Sequence, residues 1–233
     1  MSEARKTMGM FVTGTDTGVG KTRVAAALLR ALVANGWRAV GMKPVAAGVA
    51  RGATRNADVT ALLAAGNVAA EPDDVNPHSF GPAIAPHLAA AEAGSAIDLE
   101  RIAAAYARLA AQADQVVVEG AGGALVPLSA RFDMLDIPAR LHLPVLLVVG
   151  IRLGCLNHAM LAALAINARG LELAGWIANR IDPAMRAADE NIGALAERLS
   201  APLVAELPWR PGEDAVIALP ESAIRMFALG RSA

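Results

Sequence analysis

A single cysteine, Cys155, in 233 residues leaves no partner for an internal disulfide, and nowhere do Cys and His fall at the spacing of a four-ligand zinc site. A reducing, cytoplasmic setting is the expectation. Excess charge is missing too: 21 Lys and Arg stand against 22 Asp and Glu, for a net charge of -1. Phosphate backbones are bound through clustered cationic excess, so nucleic acid is not an expected partner. The longest strongly apolar run, residues 143–151, reaches less than half of the roughly 20 residues that a membrane-spanning helix needs. It is expected to be a buried strand, and no membrane association is expected. The first residues carry Arg5 and Lys6 but no apolar stretch long enough for a signal peptide. Residues 1–7 are expected to form a flexible N-terminus. Aromatics make up only 3% of the chain, so close helix packing through alanine and leucine is expected.

What is present is apolar: a hydrophobic fraction of 55% with 18% charged residues provides for one sizeable core, and residues 1–233 are expected to form a single domain. Short β-rich apolar runs at 8–13, 38–43, 115–119, 144–150, 172–179 and 203–207 alternate with alanine- and leucine-rich stretches at 21–35, 57–65, 98–113, 155–168 and 184–199. The apolar runs are continuous, as in strands buried on both faces. The expected fold is therefore α/β, with a mostly parallel sheet and helices on both sides. Residues 44–94 are the least regular part. Pro72, Pro77, Pro82 and Pro86 there suggest a crossover loop beside the active face.

The strongest local signal is FVTGTDTGVGKT at 11–22, where a strand is expected to end and a helix to begin. Glycines let backbone N–H groups turn inward around an anion, and the helix N-terminus adds its dipole. Lys21 can bridge phosphates, and the Thr22 hydroxyl can ligate Mg²⁺. The strict G-x4-GKT pattern would place glycine at 15, where this chain has Thr15 with Gly14 before it, so the loop is a variant P-loop. MKPVAAG puts Lys43 just past the second strand, on the same sheet edge, where it can neutralise charge on a transferring phosphoryl group. VVVEGAGG ends the third strand with Glu119 in the Walker B place, able to hold Mg²⁺ opposite Thr22. RNADV opens a helix and offers Asp58, either as a second metal ligand or as that helix's cap.

These segments, with VNPHSF, LPVLLVVG, LGCLNHA, GWIAN and ELPW in this order, resemble the dethiobiotin synthetase family over nearly the whole chain. The resemblance implies a P-loop NTPase-like ligase of biotin biosynthesis that closes a cyclic urea from 7,8-diaminopelargonic acid and carbon dioxide, with ATP as co-substrate and Mg²⁺ as cofactor. It implies catalytic roles for Lys43, Lys21 and Thr17. The nucleotide would be held by Gly18, Val19, Gly20, Lys21, Thr22 and Arg23 of the loop, by Asp58, and by Glu119, Gly120, Ala121 and Gly122. Asn179, Pro208, Trp209 and Arg210 would lie at the base, and Thr22, Asp58 and Glu119 would bind the metal. Substrate contacts would come from Thr17, Lys43, Ala47, Gly122, Gly154 and Asn157, the last two across a homodimer interface. Ala47 stands where several family members carry serine, which removes one hydrogen bond to the diamine.

Two rivals share the P-loop. A cobyrinic-acid-type amidoligase usually carries a glutaminase domain, which is absent from this sequence. A ParA/MinD-like dimerising ATPase expects an additional lysine early in the loop, where this chain has Thr15, Asp16 and Thr17. Residues 219–233 are mostly apolar and read as a terminal docked helix, a poor DNA or membrane anchor. His78, His87, His142 and His158 show no ligand spacing and are expected to make local hydrogen bonds. Cys155 and the three tryptophans read as packing groups.

Overall fold

The computed structural model describes residues 8–50 and 52–209. The N-terminus expected to be flexible, Arg210 and the expected helix over 219–233 lie outside the described residues. Six strands form one sheet: β1 (Met8–Gly14), β2 (Ala39–Met42), β5 (Gln115–Glu119), β6 (Val145–Ile151), β7 (Leu173–Arg180) and β8 (Leu203–Leu207). Their order is β2-β5-β1-β6-β7-β8, and every pairing is parallel.

Two apolar cores follow from the alternation of side chains along these strands. Met10, Val12, Val117, Leu146, Val148 and Ile177 point to one face, where α1 (Lys21–Ala34) and α2 (Ala57–Ala65) pack. Phe11, Val116, Val118, Leu147, Val149 and Trp176 point to the other. There they meet α5 (Leu99–Ala110), α6 (Asp136–Leu141), α7 (Cys155–Ala168) and α8 (Ala188–Arg198). Burial on both faces is why the strands read as unbroken apolar runs, and it leaves polar side chains only at the sheet's ends.

Residues 44–94 are more ordered than a crossover loop. β3 (Val45–Ala47) and β4 (His78–Phe80) pair as a small parallel sheet, flanked by α3 (Pro72–Val75) and α4 (Pro86–Glu92). Pro72 and Pro86 begin their helices rather than break them, because the first helical residue needs no N–H donor. α8 starts at Ala188, later than expected. Asp182 accepts a hydrogen bond from the Ala184 N–H, and Ala187 takes a left-handed conformation, so a turn holds the chain where helix was expected.

Candidate active site

The order of the sheet places the carboxyl ends of β1, β2 and β5 side by side, and the charged residues that follow them converge. The loop between β1 and α1 is shaped by glycine: Gly18 and Gly20 have φ of 76° and 89°, and Gly20 is the residue from which α1 starts. Lys21 folds back, donating from Nζ to the Asp16 carbonyl at 2.9 Å. Burial, and then the charge of Lys43, push its pKa down to about 8.

Lys43 is set by its backbone. Its N–H donates to the Val75 carbonyl at 2.7 Å, and its carbonyl accepts from Asn76 Nδ2 at 2.6 Å. The ammonium is thereby held among acids: Nζ lies 2.6 Å from Glu119 Oε1, 2.8 Å from Asp58 Oδ2 and 3.2 Å from the Gly120 carbonyl. Burial alone would lower the Lys43 pKa, but the two carboxylates outweigh it and raise it. The Thr22 hydroxyl donates to the same Glu119 Oε1 at 2.7 Å. Glu119 is fully buried, and its second oxygen, Oε2, has no partner.

Asp58 does not cap its helix. Asn56 does, accepting from the Asp58 N–H at 2.9 Å while its Nδ2 donates to the carbonyls of Ala47 and Gly48. That leaves the Asp58 carboxylate to face Lys43. Burial would raise its pKa, but the charge of Lys43 and its hydrogen bond hold it below the ordinary range. Thr17, Gly18, Lys21, Thr22, Lys43, Ala47, Asp58, Glu119 and Gly122 all line one cleft of about 680 Å³. Its opposite wall is Ala83, Ile84, Ala85 and Pro86, from the proline-rich stretch.

A hydroxyl, two carboxylates and two lysines beside a glycine-rich helix start form an anion and cation site with no nucleophile and base in contact. The family model for an AAA domain matches residues 8–215. An ATP-dependent dethiobiotin synthetase from Xanthomonas euvesicatoria pv. vesicatoria is 54% identical over 207 residues, covering 88% of this chain and 92% of that protein. The enzyme of the same name from Nitrosospira multiformis is also 54% identical over 207 residues, covering 89% and 91%. The chain belongs to the dethiobiotin synthetase family. Solved structures share the fold at much lower identity. MinD from Aquifex aeolicus is 16% identical with a TM-score of 0.59, covering 97% of this chain and 98% of its own. A ParA family ATPase from Chlorobium tepidum is 15% identical with a TM-score of 0.56, covering 97% and 91%.

Gly20 and Ala121 line the cleft as well; Val19, Arg23, Gly120, Asn179, Pro208, Trp209, Gly154 and Asn157, also singled out by the dethiobiotin synthetase resemblance, do not. Asn179, next to last in β7, lies against the loop, 1% exposed, with Nδ2 donating to the Val19 carbonyl at 2.8 Å and Oδ1 accepting from Arg23 at 3.1 Å. Arg23 also donates to the Pro208 carbonyl at 3.1 Å, so it ties α1 to β7 and to the turn after β8, beside the exposed Trp209. Gly154 and Asn157 are exposed at the start of α7 and do not reach the cleft of the same chain. Sequence reasoning missed Asn56 and Asn76, which hold Asp58 and Lys43 in place. The first had a legible signal, an Asn two residues before an Asp at a helix start. The histidines split: His78 accepts from the Asp98 N–H at 3.1 Å, whereas His87 lies inside α4 with Nδ1 buried and unpartnered.

Proposed function

We propose that this chain uses Mg²⁺ and ATP to join carbon dioxide to 7,8-diaminopelargonic acid and close the cyclic urea of dethiobiotin. Family membership supports the activity, and the convergence of Lys21, Lys43, Asp58, Glu119 and Thr22 in one cleft is the observation that carries it to these residues.

One amine of the diamine adds to carbon dioxide and loses a proton, giving a carbamate. The carbamate oxygen attacks the γ-phosphorus and ADP leaves. The second amine attacks the carbonyl carbon of the resulting carbamoyl phosphate, which expels phosphate and closes the ring. No covalent bond to the protein is needed, so the side chains act by position and charge. Backbone N–H groups of the loop and Lys21 hold the phosphates. Lys43 faces the charge that develops on the phosphoryl group and the carbamate, and Thr17 at the cleft's mouth contacts substrate.

Thr22, Asp58 and Glu119 are the proposed ligands of Mg²⁺. Among the described residues no three His, Cys, Asp or Glu side chains cluster, and Mg²⁺ does not require that. It keeps several waters and takes one or two carboxylates with substrate phosphates, which suits this donor set and the unpartnered Glu119 Oε2. When bound, it would offset phosphate charge.

The base is assigned to the Arg23, Asn179, Pro208 and Trp209 corner, and the far carboxylate of the diamine to the Gly154 and Asn157 turn of a second copy in a homodimer. The exposed Leu153, just before α7, and Leu161 and Leu164 on it support such a partner. Mass spectrometry of a reaction with ¹³C-bicarbonate, diamine and Mg·ATP tests the reading. A product carrying one labelled carbon in a cyclic urea is expected; a labelled open-chain carbamate alone would contradict it.

A further inference from the structure

Two of the three side chains proposed to bind the metal, Asp58 and Glu119, are already engaged by one cation, and that cation is Lys43. Its ammonium has three donors, and all three are used, on Glu119 Oε1, Asp58 Oδ2 and the Gly120 carbonyl. The Thr22 hydroxyl points at the same Glu119 oxygen. A divalent ion on Thr22, Asp58 and Glu119 would compete with Lys43 for these carboxylate groups, and two cations repel at such distances in a buried site. The pocket is built for exchange. The Lys43 side chain is 4% exposed and Glu119 1%, whereas Asp58 is 40% exposed, so the acid that faces solvent is the one a cation entering from the cleft meets first.

We infer that Lys43 is a built-in stand-in for the metal: it holds Asp58 and Glu119 together when no divalent ion is present, and is released from Asp58 toward the cleft when one binds. The inference rests on the reading of Thr22, Asp58 and Glu119 as metal ligands. Its consequence is order. The lysine that faces the transferring phosphoryl group is withheld in an ion pair until the ion and its nucleotide arrive, so the charge needed for the reaction is assembled by the substrate complex itself. Without the lysine, two carboxylates in the cleft would repel each other, which the ion pair offsets. Removing Lys43 therefore leaves a cation site with its own cation missing.

The experiment is a titration of the full chain, free of nucleotide, with Mn²⁺ followed by electron paramagnetic resonance of the free ion. Lys43→Met and, as a second version, Lys43→Gln are compared with the unmodified protein and with Asp58→Asn, each alone and combined with Asp58→Asn. Near-ultraviolet circular dichroism matching that of the unmodified protein shows that packing is kept, and Lys43→Gln serves if the methionine variant does not fold. Both lysine variants are expected to bind Mn²⁺ at least about 10-fold more tightly, and Asp58→Asn to weaken binding in every background. Equal or weaker binding by the lysine variants, with Asp58→Asn still weakening it, overturns the stand-in role alone. Binding unaffected by Asp58→Asn overturns the metal assignment on which it rests.

Discussion

Two strand-to-helix turns sit side by side on adjacent strands, and they are built alike. The turn from β1 to α1 ends at Gly20 with φ 89°, and the turn from β6 to α7 ends at Gly154 with φ 94°. Neither helix has a side-chain cap or an acid in its first turn, so both present bare N–H groups and a positive dipole end. A salt bridge of 2.5 Å between Asp16 of the first turn and Arg152 of the second joins them. Their surroundings differ. The first faces Lys43, Asp58 and Glu119 across a cleft, with Lys21 buried behind it, whereas the second presents Leu153, 91% exposed, to solvent. Backbone geometry makes an anion site available at both. The residues opposite set the two apart: in the proposed reading the first does phosphoryl chemistry within its own chain and the second serves a partner copy.

Lys21→Ala should separate the turns most sharply. Removing the only side-chain cation that the first turn contributes to the cleft is expected to lower kcat/KM for ATP by about 10³-fold, on the scale of deleting one preorganised electrostatic group, with folding retained. Steady-state kinetics together with the thermal midpoint check it.

The glycine pair comes next. A Cβ at Gly20 would land on the Asn179 amide, as well as adopting a conformation that disfavours side chains; at Gly154 the nearest atom is His158 Cε1 at 4.0 Å. Gly154→Ala should cost only backbone strain, about 1 kcal/mol. Gly20→Ala should cost more, because it also displaces an amide that satisfies the Val19 carbonyl and Arg23, and it should raise KM for ATP. Denaturant unfolding of both variants tests the ranking, and equal losses would break the comparison.

The third prediction is a pH profile. Lys21 titrates near pH 8 in the free protein, and only its protonated form attracts phosphate. Thus kcat/KM for ATP should fall as pH rises through about 8, while kcat at saturating Mg·ATP, where phosphate charge keeps the lysine protonated, should stay flat there. Its folded pKa is also below the usual 10.5, so the unfolded chain binds more protons between those values. Stability therefore gains a contribution as pH rises from 8 to 10.5.

Smaller effects remain. Ala47 lines the cleft, so Ala47→Ser should lower the apparent KM for the diamine by up to about 5-fold, the worth of one net hydrogen bond. Arg152→Ala cuts the tie between the turns, but both partners are about two-fifths exposed, so a loss under about 1 kcal/mol is expected. An unchanged KM in the first, or a large stability loss in the second, would revise the respective role.

Much of this was legible in the sequence because it is local. β5 and β8 run over the residues expected from their apolar runs, and α2 and α7 over those expected from their patterns. The loop could be read because strand, glycines, lysine and threonine fall within a dozen residues. What could not be read is long-range or short. β3 and β4 are three residues each and exist only by pairing with each other, so neither carries a period of its own. Arg23 and Asn179 are 156 residues apart, and nothing near either one announces the contact. The ion pair of Lys43 with Glu119 was hidden in the same way: both residues were visible as site candidates, but their direct contact follows from β2 lying beside β5.

The most direct test of the central claim is phosphate release from Mg·ATP, measured with and without 7,8-diaminopelargonic acid and bicarbonate. The account predicts turnover only when both are present, with one phosphate released for each dethiobiotin formed. Sustained phosphate release without the diamine, or none with it, would contradict it.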